Sequence, residues 1–319
     1  MMITDYIKRS GPGAAFFSLF ILIVFRVVYL VVGHTEISWA LALPTLVPVL
    51  GTGILLSVFC DRFDLLPERT HWTLVTYVWL MAMCPQTYVE WEAVLSSVLI
   101  TAALYRLIVA SLDPHARSNP FLSAFYITCA GLLFRPAFLF YIPLIIGFLL
   151  MTETSVKNLF AFVGGIVVPL LLLIAGLWFL GYSPYEFGLQ RIQELGYPKP
   201  VAFWKSYSVL QLVPILVLIV LVLLALFARL LRRESTTTIY VWRFYNSMFL
   251  FFVFAAAVFL LYPNHANGVI ALFMIPTSFL ITSLFSEKRF FGSRVWLSLF
   301  ILSSLVYFVA RLDVLPLTF

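Results

Sequence analysis

The sequence has few charges, few cysteines and no recognisable catalytic motif. Only 11% of the 319 residues are charged, less than half of the fraction of about 25% that is usual in soluble domains. Cys60, Cys84 and Cys129 lie in different segments without a C-x-x-C spacing, which indicates neither a disulfide framework nor a metal site. No Walker loop, G-x-S-x-G, H-E-x-x-H or dinucleotide fingerprint is present.

Apolar residues dominate the chain instead. They make up 63% of it, and the mean hydropathy is +1.04. These values predict an all-α, polytopic membrane protein whose residues 1–319 form a single integral membrane domain. The pI near 9.3 comes from Lys and Arg in short loops between spans. Orientation in the membrane explains these residues, so we expect no nucleic-acid partner.

Hydropathy predicts about nine spanning helices plus one broken hairpin. Most of the 20 Lys and Arg residues fall in alternate loops. This bias predicts a cytoplasmic N-terminus and a C-terminus on the opposite side. The predicted helices cover residues 14–33, 37–59, 70–84, 93–111, 158–181, 208–231, 240–262, 268–285 and 295–311, with the hairpin at 119–151.

The stretch 119–151 is too long for one crossing and too short for two, because one crossing needs about 20 residues. Pro136 follows Arg135 and disfavours helix at the residue before it. The charge bias places the loops before and after this stretch on the same side of the membrane, which a single kinked helix does not allow. We therefore expect two short helices, 119–134 and 137–151, that form a full or a re-entrant hairpin.

Two arginines, Arg26 and Arg135, are predicted at membrane depth, where a charge costs about 3 kcal/mol and faces protein or water. Arg135 would bind a phosphate or a polyprenyl-phosphate head group, or would cap the first arm of the hairpin. Arg26 would form an ion pair with Glu36 or Glu92, or would contact a substrate.

Three acidic residues, Glu36, Glu90 and Glu92, lie in the predicted outer turns. Two carboxylates in one outer cleft could bind a metal or act as a general base. The alternative is that they stabilise the starts of helices and face water. The sequence by itself predicts no metal site.

The longest predicted loop, 182–206, combines aromatic residues with scattered charges. Its apolar spacing from Tyr185 to Leu195 predicts a short helix on the outer surface. This helix would be either a lid over an outer cleft or a plain surface anchor. Arg191 and Lys199 complete the set of predicted lipid-phosphate-binding cations, together with Arg26 and Arg135.

The broken stretch, Lys157 and the segment FVGGIVVPLLLLIAGLWFLGYSPYEF together resemble the centre of the C-type membrane glycosyltransferases. The resemblance implies a similar scaffold, polyprenyl-phosphate donors and a catalytic acid, usually Asp, in a long first outer loop. A divalent metal is expected only if the chain is such a transferase. The first outer turn here has Glu36 and no Asp, so catalysis would fall to Glu36, Glu90 or Glu92.

A fuller resemblance covers most of the chain. The segments DLLPERTHWTLVTYVW, GLLFRPAFLFYIPLIIGFLL and NHANGVIALFMIPTSFLI are similar to a bacterial inner-membrane family of unknown function. This resemblance implies the topology and an inner-membrane location, with a periplasmic C-terminus, and no activity.

These observations favour a non-catalytic partner or lipid-binding component of an envelope assembly. Its expected partners are membrane lipids, a polyprenyl-phosphate lipid or other envelope proteins, and no cofactor is expected. A lipid-linked sugar transferase of the C type is the alternative, and a transporter is the second. A transporter predicts an inverted repeat or a chain of ionisable residues through the spans, and the sequence shows neither.

Overall fold

The computed structural model describes residues 11–32, 43–66, 70–113, 115–151, 155–198, 209–231, 239–286 and 293–312. This part of the chain is helical and contains no β-strand. Its α-helices are α1 Gly11–Val32, α2 Leu46–Arg62, α3 Trp72–Ala82, α4 Trp91–Leu112, α5 Ser118–Leu133, α6 Tyr141–Met151, α7 Val156–Phe179, α8 Pro184–Leu195, α9 Val209–Leu231, α10 Ile239–Leu261, α11 Ala266–Phe285 and α12 Ser293–Arg311. Short 3₁₀ turns lie at Pro85–Thr87, Arg135–Phe140 and Pro263–His265.

Six helices of the described chain are long and apolar enough to cross a membrane: α1, α4, α7, α9, α10 and α11. A hydrocarbon core of about 30 Å requires roughly 20 residues at 1.5 Å per residue, and these helices meet that length. The chain is therefore an integral membrane protein. The apolar helices α3 and α12, and the segment 135–150, are shorter than this test requires, so nine spans remain a prediction.

Several predicted helices differ from the observed ones at their ends. The second arm of the hairpin, predicted at 137–151, begins only at Tyr141, because residues 135–140 form a 3₁₀ turn. The helix predicted at 37–59 is wrong for residues 43–45, which form a turn before α2 begins at Leu46. Pro44 lies in this turn, and its ring fixes the backbone and removes an N–H donor. Residues 37–42 lie outside the described part. The helix predicted at 70–84 is shortened to Trp72–Ala82, and Pro85 begins a 3₁₀ turn soon after it.

The stretch 119–151 departs from one end of the bundle and returns to it. Near its start, Arg106 of α4 donates a hydrogen bond to the side chain of Asn119 at 3.3 Å. Near its finish, a Cβ placed on Gly147 would lie 3.2 Å from Leu107 of the same helix. Between these points, α5 and α6 are separated by the 3₁₀ turn Arg135–Phe140.

Helix α11 forms the centre of the bundle. About 94% of its membrane-length window is buried, against 17% for α7. It packs against α3, α4, α9 and α10. Its buried hydroxyls donate to carbonyl oxygens of the preceding turn, as Thr277 does to Phe273 at 2.7 Å and Thr282 does to Ser278 at 2.7 Å. Polar side chains thus occupy an apolar interior with their donors satisfied.

Candidate polar site at the turn end of the bundle

The 3₁₀ turns at 85–87, 135–140 and 263–265 lie at one end of the bundle, which we call the turn end. Contacts of α11 connect them, since this helix packs against all three turns. The surface helix α8 also reaches this end and contacts the turn at 135–140. Four segments that are distant in the sequence therefore meet there.

Arg135 lies where helix α5 ends. Phe134 has an extended backbone, with φ −122° and ψ 108°, and closes α5 through its N–H to the carbonyl oxygen of Ala130 at 2.8 Å. Pro136 follows two residues later and has no backbone N–H, so it cannot continue the hydrogen-bond ladder of α5. The ring of Phe138 then packs against Gly131, where a Cβ would lie 2.5 Å from the ring. This glycine lets the turn fold back closely on α5.

The guanidinium group of Arg135 forms an ion pair with Glu194, near the end of α8. The two side chains are 25% and 31% exposed, so water reaches both of them. Gln190, one turn earlier on α8, donates its amide to the other carboxylate oxygen of Glu194 at 2.8 Å. The pair therefore connects the hairpin turn to the surface helix with the carboxylate held from both sides.

His265 joins the same site from the turn before α11. Its Nε2 lies 3.1 Å from the backbone carbonyl oxygen of Glu194. The Phe134 ring meets the imidazole edge to face at a centroid distance of 6.3 Å. A Cβ on Gly268 would lie 2.6 Å from Phe134, so this glycine allows α11 to approach the hairpin turn.

Two carboxylates lie close by at the start of α4. Glu90 immediately precedes this helix, and Glu92 belongs to its first turn. Burial raises the pKa of the Glu90 carboxyl group, and the neighbouring charge of Glu92 raises it further, while His265 acts in the opposite direction. Among the described residues, no three His, Cys, Asp or Glu side chains are grouped closely enough to hold a metal ion.

Two further predicted site residues, Arg26 and Arg191, stack on aromatic rings. Arg26 is buried in α1, and its guanidinium lies 4.6 Å from the centre of the Tyr88 ring. Arg191 lies over Phe187, one turn away on α8, at 4.9 Å. Glu36 and Lys199 lie outside the described residues.

Sequence reasoning did not select Glu194 or His265 as site residues. Glu194 is one of several charges on an amphipathic helix, and His265 belongs to a short polar turn. Each becomes informative only because the fold brings it to Arg135. The sequence feature that could have indicated Glu194 was the predicted lid at 182–206, because a helix that covers the hairpin must place some of its side chains against it.

The site combines one fixed cation, the Glu194 carboxylate and an imidazole, and Glu90 lies within electrostatic range of the imidazole. Arginine matches the geometry of phosphate and carboxylate equally well, so a phosphate can replace the Glu194 carboxylate at Arg135. The arrangement is therefore suited to exchange between an internal and an external anion.

Comparison with known proteins assigns a family without an activity. A family model described as a family of unknown function (DUF6427) matches residues 13–316, which is almost the whole chain. No curated protein and no solved structure matches the chain.

Proposed function

We propose that this chain, which belongs to the DUF6427 family, is a non-catalytic, lipid-binding component of a bacterial envelope assembly. It would reside in the inner membrane with its N-terminus in the cytoplasm. The lipid would carry a phosphate head group, such as a polyprenyl phosphate, and would bind at Arg135 with its chain alongside the bundle.

The main support for this proposal is the hydrogen bonding of the Arg135 side chain. Its Nε–H is buried and has no acceptor among the described residues. A buried donor without a partner costs about 1 to 3 kcal/mol. The Glu194 carboxylate contacts a terminal nitrogen of Arg135 and leaves the Nε–H without an acceptor in the described part of the chain. A phosphate group offers three acceptor oxygens and could accept from the Nε–H and the terminal nitrogens together.

Glu194 would then act as an internal competitor. Its carboxylate occupies the position of the incoming phosphate, and its helix α8 has no buried residue to hold it in place. Exposed apolar side chains on α8, including Tyr185 and Ile192, favour contact with the membrane surface. Binding of the lipid would release the end of α8 from the hairpin turn.

Native mass spectrometry of gently extracted protein tests this proposal directly. Wild-type protein should retain a polyprenyl-phosphate lipid, and Arg135→Ala should lose it. Glu194→Gln should retain more lipid than wild type, because it removes the competing charge. Arg117→Ala, an exposed residue at the opposite end of α5, is the matched control and should behave as wild type.

Two results would contradict the proposal. One is equal lipid retention by wild type and by Arg135→Ala when both are folded. The other is weaker retention by Glu194→Gln, which would make Glu194 a ligand of the lipid rather than its competitor. If a partner protein co-purifies in a stoichiometric amount and no such lipid does, the result would support a role in an assembly and contradict lipid binding.

One observation favours a lipid-linked sugar transferase as the second candidate. The raised pKa of Glu90 is a property of general acids and bases. If Glu90 has this role, Glu90→Gln should abolish sugar transfer from a polyprenyl-phosphate donor, whereas Arg135→Ala should weaken donor binding. A folded Glu90→Gln protein that fully replaces wild type in cells would remove this candidate.

A further inference from the structure

A cavity of about 240 Å³ lies at the turn end, on a different set of helices from the Arg135 cluster. Its walls come from α3, α9, α10, α11 and α12, and include Leu80, Ile215, Phe259 and Met274. None of its lining residues belongs to the Arg135 cluster. It is larger than the cavity of about 150 Å³ that suffices to hold benzene in an engineered protein interior.

The cavity is unsuited to water. Its lining is almost entirely apolar, and its hydroxyl groups come from Ser304 and Tyr307. Ser304 already donates to Ile301 and accepts from the indole N–H of Trp79 at 2.7 Å, while the Tyr307 hydroxyl accepts from Gln86. Water in an interior site needs two to four polar partners, and these walls do not offer them.

The cavity opens toward the side of the bundle. Helix α9 packs along α11 and α12 but touches α10 little, which leaves a groove between α9 and α10. Leu216 on α9 and Leu260 on α10 line the groove and are 62% and 40% exposed. Because such a flank faces hydrocarbon in a membrane, a lipid chain can enter without passing through water.

The acyl chain alone does not distinguish one lipid from another, because it moves from one apolar environment, the bilayer, into another, the groove. Selectivity would come from the polar groups at the edge of the groove. Arg311 supplies a positive charge there, with its guanidinium 5.8 Å from the centre of the Tyr307 ring. Gln86, which donates to the hydroxyl of Tyr307, has a buried Oε1 that accepts no hydrogen bond from the described residues.

We propose that this groove binds one acyl chain of an anionic phospholipid with a hydroxyl-bearing head group, of the phosphatidylglycerol type. The phosphate lies at Arg311, and a glycerol hydroxyl donates to Gln86 Oε1. The charge of Arg311 selects an anionic lipid, and the orphaned acceptor selects a head group that carries a donor. This site is separate from the one proposed at Arg135 and does not depend on it.

Native mass spectrometry of the full chain, reconstituted with equal amounts of dioleoyl phosphatidylglycerol and dioleoyl phosphatidylcholine, tests the proposal. Wild-type protein should retain phosphatidylglycerol preferentially. Arg311→Gln should reduce that preference by about tenfold, the size of one charged hydrogen bond. Leu216→Trp, which fills the groove from its exposed edge, should reduce retention of both lipids.

Matched variants separate this site from general effects. Leu172→Trp lies on an exposed position of α7, away from the groove, and should behave as wild type. Leu260→Trp obstructs the opposite wall and should repeat the effect of Leu216→Trp, which covers the case in which one variant fails to fold. Arg117→Ala removes an exposed cation outside both proposed sites and should leave phosphatidylglycerol retention unchanged, which makes it the charge-matched control for Arg311→Gln.

Three results would overturn the proposal. The first is the absence of a lipid preference in the wild-type protein. The second is unchanged retention in both folded tryptophan variants. The third is a mass equal to two copies of the chain without lipid, reduced by Leu216→Trp, which would assign the groove to self-association.

Discussion

At the scale of single residues, Arg135 at the turn end pairs with the Glu194 carboxylate in the structure and would pair with a phosphate in the proposed complex. Arg135 belongs to the hairpin, and its ion pair with Glu194 also connects the last turn of α8 to that hairpin. An exposed ion pair contributes little to stability, typically between 0 and about 1 kcal/mol. Its value here is positional, since it keeps a carboxylate at the location that a phosphate would occupy.

Glu90 gives a test at the same scale. Its folded-state pKa is raised, mainly by burial, so ionisation of this carboxyl destabilises the folded protein as the pH rises. We expect Glu90→Gln to be more stable than wild type at pH 7. The difference should shrink as the pH falls and should vanish below the unfolded pKa of about 4.3, because Glu90 is then neutral in both states. Thermal unfolding of both proteins in detergent, at pH 7 and at a pH below the unfolded pKa of the carboxyl group, measures this difference in stability.

Glu186→Gln is the control for that experiment, because Glu186 is exposed on α8. It should show no comparable gain at pH 7. A Glu90→Gln protein less stable than wild type at neutral pH would mean that the ionised carboxylate is stabilised in the folded protein.

The candidate site was partly predictable from the sequence for a definable reason. Arg135 stands out because a charge in a long apolar run is costly and therefore has a role. Glu194 and His265 cost nothing in their polar surroundings, so their local sequence carries no sign of a function. Only the three-dimensional meeting of α8, the hairpin turn and α11 identifies them.

At the scale of elements, α5 and α7 form one of the closest helix pairs in the bundle. Gly165 makes this possible, since a Cβ there would collide with the carbonyl oxygen of Phe121 and lie 2.9 Å from Ala124. Thr128 crosses the same contact and donates to the carbonyl oxygen of Gly165 at 3.4 Å. Small residues at helix contacts are the usual means of close packing in membranes.

Gly165→Ala should therefore destabilise the protein by about 1 to 3 kcal/mol, the usual cost of overpacking. Gly176 lies on the same helix, and a Cβ added there would have no neighbour within 4 Å. Gly176→Ala should be neutral, or stabilising by up to about 1 kcal/mol through helix propensity. Denaturant unfolding of the two variants compares them, and equal stabilities would show that α5 and α7 can separate without cost.

Helix α8 should respond to loss of its ion pair. In Arg135→Ala, amide hydrogen exchange across 184–195 should rise by at most about fivefold, which corresponds to about 1 kcal/mol. Arg191→Ala, on α8 itself, removes a cation over Phe187 and leaves the ion pair intact, so exchange near Glu194 should change less. Unchanged exchange in Arg135→Ala would mean that other contacts hold α8.

At the scale of the whole molecule, hydropathy predicted an all-helical membrane protein, and the structure confirms this. Hydropathy could not predict which helix lies at the centre of the bundle. The largely buried α11 has a mean hydropathy of 2.0, and the lipid-facing α7 has 2.6. Lipid and protein interior are both apolar, so hydropathy does not separate them. The better signal was the run of Ser and Thr in α11, which lipid would not accommodate as well.

Orientation is testable on the whole chain. Arg117→Cys and Asn264→Cys place single cysteines at exposed positions at opposite ends of the bundle. In intact cells, an impermeant maleimide should label Asn264→Cys and leave Arg117→Cys unlabelled until the cells are opened. The native cysteines Cys60 and Cys84 are buried, and Cys129 is partly exposed, so a Cys129→Ser background is the suitable control. The reverse pattern would place the N-terminus outside.

The position of α11 has a consequence for biogenesis. It is the second-last of the described helices to leave the ribosome, yet α3, α4, α9 and α10 all pack against it. These helices must enter the membrane before their common partner exists, and synthesis proceeds at about 5–20 residues per second. During this interval, α3, α4, α9 and α10 lack the helix that they contact in the folded protein. A chain that terminates before residue 266 would lack its central helix and become a substrate for membrane proteases.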